Sequence, residues 1–108
     1  MEKILEFWLN ASKEDFLTAK AMFKASRYNY AMFMCQQSLE DILKAIILLK
    51  TKKRPPYIHD LIKLSEITKI KISKSQFQKL EEINPHYIQA RYHRARFDCQ
   101  MLVYVVVF

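Results

Sequence analysis

The sequence predicts an all-α protein, on the evidence of its composition and of its hydrophobic spacing. The 108 residues include no glycine and only three prolines, so few positions interrupt a helix. Hydrophobic residues make up 51% of the chain, and in the first half they recur at intervals of three and four residues, which is the spacing of one helix face. A chain of this length builds one core, so we expect a single domain over residues 1–108.

Two long helices are expected in the first half of the chain. The first should span residues 3–25. The second should follow a polar break at 27–29 and run to about Lys50, where Pro55 and Pro56 prevent its continuation. Its apolar and aromatic residues share one heptad line: Tyr28, Met32, Cys35, Leu39, Ile42, Ile46 and Leu49.

Two shorter helices are expected next. The carboxylate of Asp60 can accept hydrogen bonds from first-turn amides, so a third helix should begin near it. Ser73 or Ser75 can cap a fourth helix that runs to about Ile83. Residues 85–92 are expected to be irregular. The remaining tail should form a last helix, although its final residues, 103–108, favour a strand locally.

Three charged residues in the helices are expected to have structural partners. Asp15 lies on the apolar stripe of the first helix, where an unpaired carboxylate is costly, so it should meet a cation or a subunit interface. Glu40 and Lys44 are four residues apart and should form an ion pair worth a few tenths of a kcal/mol.

High apolar content and the position of Asp15 also predict a homodimer.

The net charge of +7 is unevenly distributed. Residues 1–48 hold six basic and six acidic residues, whereas residues 49–108 hold twelve basic against five acidic, so the whole surplus lies in the second half. Such a field favours nucleotides, nucleic acid or an acidic protein surface. Ordinary solubilising lysine explains the scattered charges equally well.

The cellular location is expected to be cytoplasmic, because the first residues lack the pattern of a signal peptide. The most apolar run, 101–108, is far shorter than the ~20 residues that cross a bilayer, so no membrane partner is expected. Cys35 and Cys99 both lie in apolar stretches, and we expect buried, reduced thiols.

Composition also excludes several kinds of active site. A chain without glycine cannot form a glycine-rich phosphate loop, so it is neither a self-sufficient nucleotidyltransferase nor a P-loop enzyme. The three histidines have no neighbouring cysteine and only scattered carboxylates, so we expect no metal and no cofactor. No catalytic residue is identified.

Four groups of residues, in order along the chain, resemble the HEPN family of domains (higher eukaryotes and prokaryotes nucleotide-binding). They are Trp8, Ala11 and Asp15; residues 30–45, which include Gln36, Gln37, Ser38, Leu39, Glu40 and Lys44; residues 59–61; and residues 84–92. The resemblance implies an up-and-down bundle of four or five helices, similar to the C-terminal domain of kanamycin-type nucleotidyltransferases. It also implies a dimer, often paired with a separately encoded minimal nucleotidyltransferase.

Some members of this family are RNA-cleaving toxins that carry an arginine followed four to six residues later by a histidine. This sequence departs from that pattern, because no histidine follows Arg91 at the required distance and His93 comes too early. Arg54 and His59 satisfy the spacing, but they lie at the start of the third helix, and we interpret the match as coincidence. A non-catalytic module that binds nucleotide or phosphate ligands is therefore favoured; the alternative is a divergent, metal-independent RNase of a toxin–antitoxin pair.

The candidate ligand-binding residues are basic and aromatic. Arginine suits phosphate and tyrosine suits a stacked base, so the main candidates are Tyr87, Arg91, Tyr92, His93 and Arg94. A structural alternative has Arg91 bridging to Asp15 or Glu40.

An auxiliary patch comprises Lys52, Lys53 and Arg54, and His59 is a separate candidate for binding phosphate. For His59 the structural alternative is a hydrogen bond to a neighbouring backbone group.

Overall fold

The computed structural model describes residues 2–84, and all regular secondary structure within that range is α-helix. The helices are α1 (Glu2–Lys24), α2 (Tyr28–Thr51), α3 (Leu61–Thr68) and α4 (Lys74–Ile83). No strand occurs between residues 2 and 84. This confirms the all-α prediction, and the observed ends of the helices lie within two residues of the expected ones. The irregular segment 85–92 and the last helix lie outside the described residues.

The turn between α1 and α2 is closed without a glycine. The amide of Arg27 donates to the carbonyl of Met22 at 2.8 Å, and that of Ser26 donates to Phe23 at 3.0 Å. This pattern needs a left-handed residue, and Ser26 supplies it with φ of 61°. The short turn returns α2 alongside α1 in the antiparallel direction.

Serine residues bring the middles of the two long helices together. The hydroxyl of Ser38 donates to the backbone carbonyl of Ser12 at 2.8 Å, and the hydroxyl of Ser12 donates to the backbone carbonyl of Ser38 at 2.9 Å. Small side chains at this crossing allow the two helices to approach closely.

The core is built around α2, which packs against α1 on one side and α3 on another. The heptad line is buried from Met32 to Ile42, but Leu49 at its end is exposed. The heptad line of α2 therefore reaches beyond the buried core at its last turn. The core residues are Ala19, Met32, Cys35, Leu39, Ile42, Leu43, Ile47, Leu61, Leu64, Leu80 and Ile83.

Cys35 corrects one expectation from the sequence. It is fully buried, as predicted, but its sulfur is disulfide-bonded, so the expectation of a reduced thiol is wrong for this residue. Sequence spacing shows which cysteines lie in apolar segments and not which sulfur atoms meet in the fold.

Polar side chains join the beginning of α3 to the end of α4 and cap the beginning of α4. Asp60 caps α3 as predicted, since its Oδ1 accepts from the amide of Ile62 at 3.0 Å, and also from the side-chain amide of Asn84 at 2.9 Å. Ser73, one of the two predicted caps, forms a capping box with Gln76. The bonds at Asp60 anchor the end of the loop formed by residues 52–60 and thereby hold His59 near α2.

Candidate functional site

A cleft of about 480 Å³ lies between α1, α2 and the loop 52–60. Its lining combines carboxylates, a lysine, a histidine and aromatic rings within one concave surface. The lining residues are Phe7, Trp8, Ala11, Asp15, Gln37, Glu40, Asp41, Lys44, Pro55, Pro56, Tyr57 and His59.

A chain of charged groups crosses this cleft. The Nζ of Lys44 donates to Oε2 of Glu40 at 3.1 Å, and the other carboxylate oxygen of Glu40 lies 2.8 Å from Nδ1 of His59. Lys44 is 3% exposed and Glu40 is 6% exposed, so this is a buried ion pair and not the weak surface pair expected from the sequence. His59 contacts a distant side chain rather than the expected backbone group, because folding brings the loop onto α2.

Aromatic rings surround the lysine. The ammonium group of Lys44 lies 5.3 Å from the ring centroid of Trp8 and 5.7 Å from that of Tyr57. Tyr57 also meets His59 edge to face at 5.7 Å. Because Tyr57 is 90% exposed, most of its ring remains open to a flat ligand.

Two carboxyl groups meet where α1 and α2 border the cleft. Asp15 from α1 is hydrogen-bonded to Asp41 from α2, and Oδ2 of Asp41 is buried with no N–H or hydroxyl donor among residues 2–84. Burial first, and then the hydrogen bond and negative charge of Asp15, raise the pKa of Asp41 to about 8. The negative charge of Glu40 also raises this pKa, whereas the positive charge of Lys44 lowers it. At neutral pH Asp41 therefore keeps its proton, as a hydrogen bond between two carboxyl groups requires.

A second concavity of about 380 Å³ adjoins the cleft and is basic. It shares Phe7, Trp8 and Pro55 with the cleft, and its two charged lining residues are Lys3 and Arg54. The cleft, which contains carboxylates, and the basic concavity therefore share the aromatic residues Phe7 and Trp8.

The sequence model of the HEPN domain family matches residues 5–104, nearly the whole chain. The chain belongs to the HEPN domain family. HEPN domains are helical domains of nucleotide-binding or RNase type, and they often dimerise. No curated protein and no solved structure matches this chain.

The structure of this HEPN domain brings together some of the residues predicted from its sequence. His59, Glu40, Lys44 and Asp15 all line the cleft, and Arg54 lines the adjoining basic concavity. The remaining candidates lie outside the described residues: Tyr87, Arg91, Tyr92, His93 and Arg94.

Asp15 has a partner of an unexpected kind. Within the described range it meets a second carboxyl group rather than a cation, whereas the alternative of a subunit interface stays a prediction. The bridges from Arg91 to Asp15 or Glu40 involve a residue that the structure does not describe.

The sequence did not identify Asp41, or the rings of Trp8 and Tyr57 beside Lys44, as parts of the site. Gln37, Asp41 and Lys44 recur at four- and three-residue steps on α2, and this polar stripe on an otherwise apolar helix was the available signal. Nothing in the sequence places Trp8 or Tyr57 over the lysine, because those contacts arise only from tertiary packing.

Within residues 2–84, no group of three or more histidine, cysteine, aspartate or glutamate side chains is arranged to hold a metal ion. None of the four helices described has the length and apolarity that crossing a membrane requires.

Proposed function

We propose that this HEPN domain is a non-catalytic module that binds a nucleotide in the cleft between α1, α2 and the loop 52–60. The observation that carries this proposal is the juxtaposition of an open aromatic ring, polar groups and a basic concavity. A volume of about 480 Å³ falls within the roughly 300–1,000 Å³ typical of small-molecule sites.

The lining suggests how a nucleotide would lie. A base would stack on the exposed ring of Tyr57 beside Trp8, since stacking requires only an open aromatic face. Its phosphate would extend to Lys3 and Arg54 in the adjoining concavity, because the carboxylates of the main cleft repel anions.

The physiological role is proposed to be that of a partner to a separately encoded minimal nucleotidyltransferase. Without a glycine-rich loop this chain cannot hold a triphosphate for transfer on its own, so the partner would supply the catalytic carboxylates. An adjacent reading frame with a Gly-Ser motif and paired aspartates would support this role. A homodimer stays a prediction.

Binding of AMP to the full chain is expected to be measurable by calorimetry and to weaken as salt rises, because phosphate contacts release counterions. Arg54→Ala should weaken binding by roughly 1–2 kcal/mol, or about five- to thirtyfold. Lys13→Ala, which removes an exposed lysine of α1 outside both concavities, is the matched control. Unchanged affinity in Arg54→Ala, or an equal loss in both variants, would contradict this phosphate position.

The second half of the chain is proposed to add further phosphate contacts. Replacing Arg91 and Arg94 together by alanine should weaken nucleotide or RNA binding by roughly 1–3 kcal/mol if both are direct contacts. A variant that keeps its melting temperature and oligomeric state but binds normally would exclude this role. Unfolding would instead support the alternative in which Arg91 tethers the bundle.

A second candidate function is RNA cleavage, and the orientation of His59 favours it. Glu40 holds Nδ1, which leaves Nε2 for a ligand, as in a general acid or base positioned by a carboxylate. His59 also follows Arg54 at the spacing of the toxin motif. Because this pair lies at the start of α3 rather than near Arg91, where the resemblance places it, we still expect no appreciable cleavage.

Incubation of purified protein with RNA and a chelator tests this expectation. Robust cleavage that is lost only in His59→Ala would contradict the expectation and support Arg54 and His59 as the active pair. Cleavage lost in both Arg91→Ala and His93→Ala would instead place the active site in the second half.

A further inference from the structure

We infer that the Asp15–Asp41 pair anchors an amino group of the ligand, so that the cleft prefers nucleotides whose base carries an exocyclic amino group. The inference rests on the proposed nucleotide-binding function and adds the chemical class of base that the cleft would accept.

The geometry of the pair supports this assignment. Both carboxyl groups line the cleft, one from each long helix. Asp41 is 5% exposed, and its Oδ2 is buried without a donor among the described residues. No N–H or hydroxyl group of the described residues bonds to this oxygen, and the hydrogen bond between Asp41 and Asp15 needs a proton between the two carboxyl groups.

Neighbouring groups of the protein do not provide that donor. The positive charge of Lys44 lowers the pKa of Asp41, but its ammonium group donates its hydrogen bond to Glu40. His59, from the loop, also bonds to Glu40. Besides Asp15, the charged groups acting on Asp41 are Glu40 and Lys44 from α2, and His59 from the loop lines the same cleft.

The chemistry of a shared proton determines what the pair offers to a ligand. With a proton held between the two carboxyl groups, their remaining oxygen lone pairs act only as acceptors. An exocyclic amino group presents N–H donors with a partial positive charge. Uracil instead offers one N–H flanked by two carbonyl oxygens, which the carboxyl oxygens repel.

Proton release is the second consequence. Amino donors stabilise the ionised form of Asp41, so ligand binding favours transfer of the shared proton to the buffer. Affinity for an amino-bearing base should therefore rise as pH increases toward about 8, where Asp41 ionises. A base without the amino group should show less of this rise.

Matched ligands test the inference on the full chain. AMP and purine riboside 5′-monophosphate differ only in the amino group, and CMP and UMP provide a second comparison. We expect at least about tenfold tighter binding of the amino-bearing nucleotide in one or both comparisons, as one charged hydrogen bond supplies. Calorimetry in buffers of different ionisation enthalpy should detect proton release for that nucleotide.

Asp41→Asn keeps the shape of the side chain and removes the titrating group, so it should abolish proton release and reduce the amino preference. Glu14→Gln, at an exposed acid of α1, is the matched control and should change neither. Binding of every nucleotide without preference or proton release would overturn the inference and leave the proposed function standing. Absence of binding by all four nucleotides would overturn both.

Discussion

Replacing Lys44 by alanine is expected to destabilise the fold by about 3–5 kcal/mol, because it strands the buried carboxylate of Glu40. The lysine and the glutamate are 3% and 6% exposed, so water cannot readily replace the lost partner. His59 is the other group bonded to Glu40, but it compensates the charge only when it is protonated. Urea denaturation at neutral pH measures the change in the free energy of unfolding.

Two further variants separate the ion pair from simple loss of packing. The double variant Glu40→Gln with Lys44→Met removes both charges while retaining most of the volume, and it should recover much of the stability that Lys44→Ala loses. Lys13→Ala changes an exposed lysine and should have little effect. A loss below about 1 kcal/mol in Lys44→Ala would mean that the pair is solvated in solution.

Asp41→Asn is expected to remove a strong pH dependence of stability. Since the pKa of Asp41 is raised from 3.8 to about 8, the folded chain retains a proton that the unfolded chain loses between those values. Wild-type stability should therefore fall as pH rises through this window, by up to about 1.4 kcal/mol per pH unit from this group. Above about pH 8 Asp41 is ionised in both the folded and the unfolded chain, so its effect on the free energy of unfolding no longer changes with pH.

The asparagine variant has no such ionisation, so its advantage over the wild type should grow from about pH 4 to pH 8 and then level off. Thermal or urea unfolding of both proteins across this range measures the difference, in which the other titrating groups largely cancel. Asp15→Asn should narrow this pH range, because the hydrogen bond and the charge of Asp15 contribute to the raised pKa of Asp41. A difference that does not vary with pH would show that Asp41 ionises normally.

The helices could be predicted from sequence because their determinants are local. Apolar spacing defines α1 and α2, and side-chain caps define the beginnings of α3 at Asp60 and of α4 at Ser73. A cap and the amide it accepts from lie within three residues of each other, so no tertiary information is needed. The exposure of Leu49 at the end of α2 could not be predicted in the same way, because burial depends on which elements pack against that turn.

The cleft could be predicted only in part. Asp15 was recognisable as a carboxylate on an apolar face, but its partner Asp41 comes from another helix and carries the same charge. The contact between Glu40 and His59 likewise joins residues 19 positions apart. Spacing identifies residues on one helix face, whereas the meeting of two faces depends on tertiary packing.

The indole group of Trp8 is a direct reporter of nucleotide binding in the cleft, because Trp8 is the only tryptophan and lines both concavities. Its indole N–H therefore gives one assignable cross-peak in a proton–nitrogen correlation spectrum. During titration with the tightest-binding nucleotide, this cross-peak should shift saturably with the dissociation constant obtained by calorimetry. Calorimetric binding that leaves the indole cross-peak unmoved would contradict the assignment of the cleft as the nucleotide site.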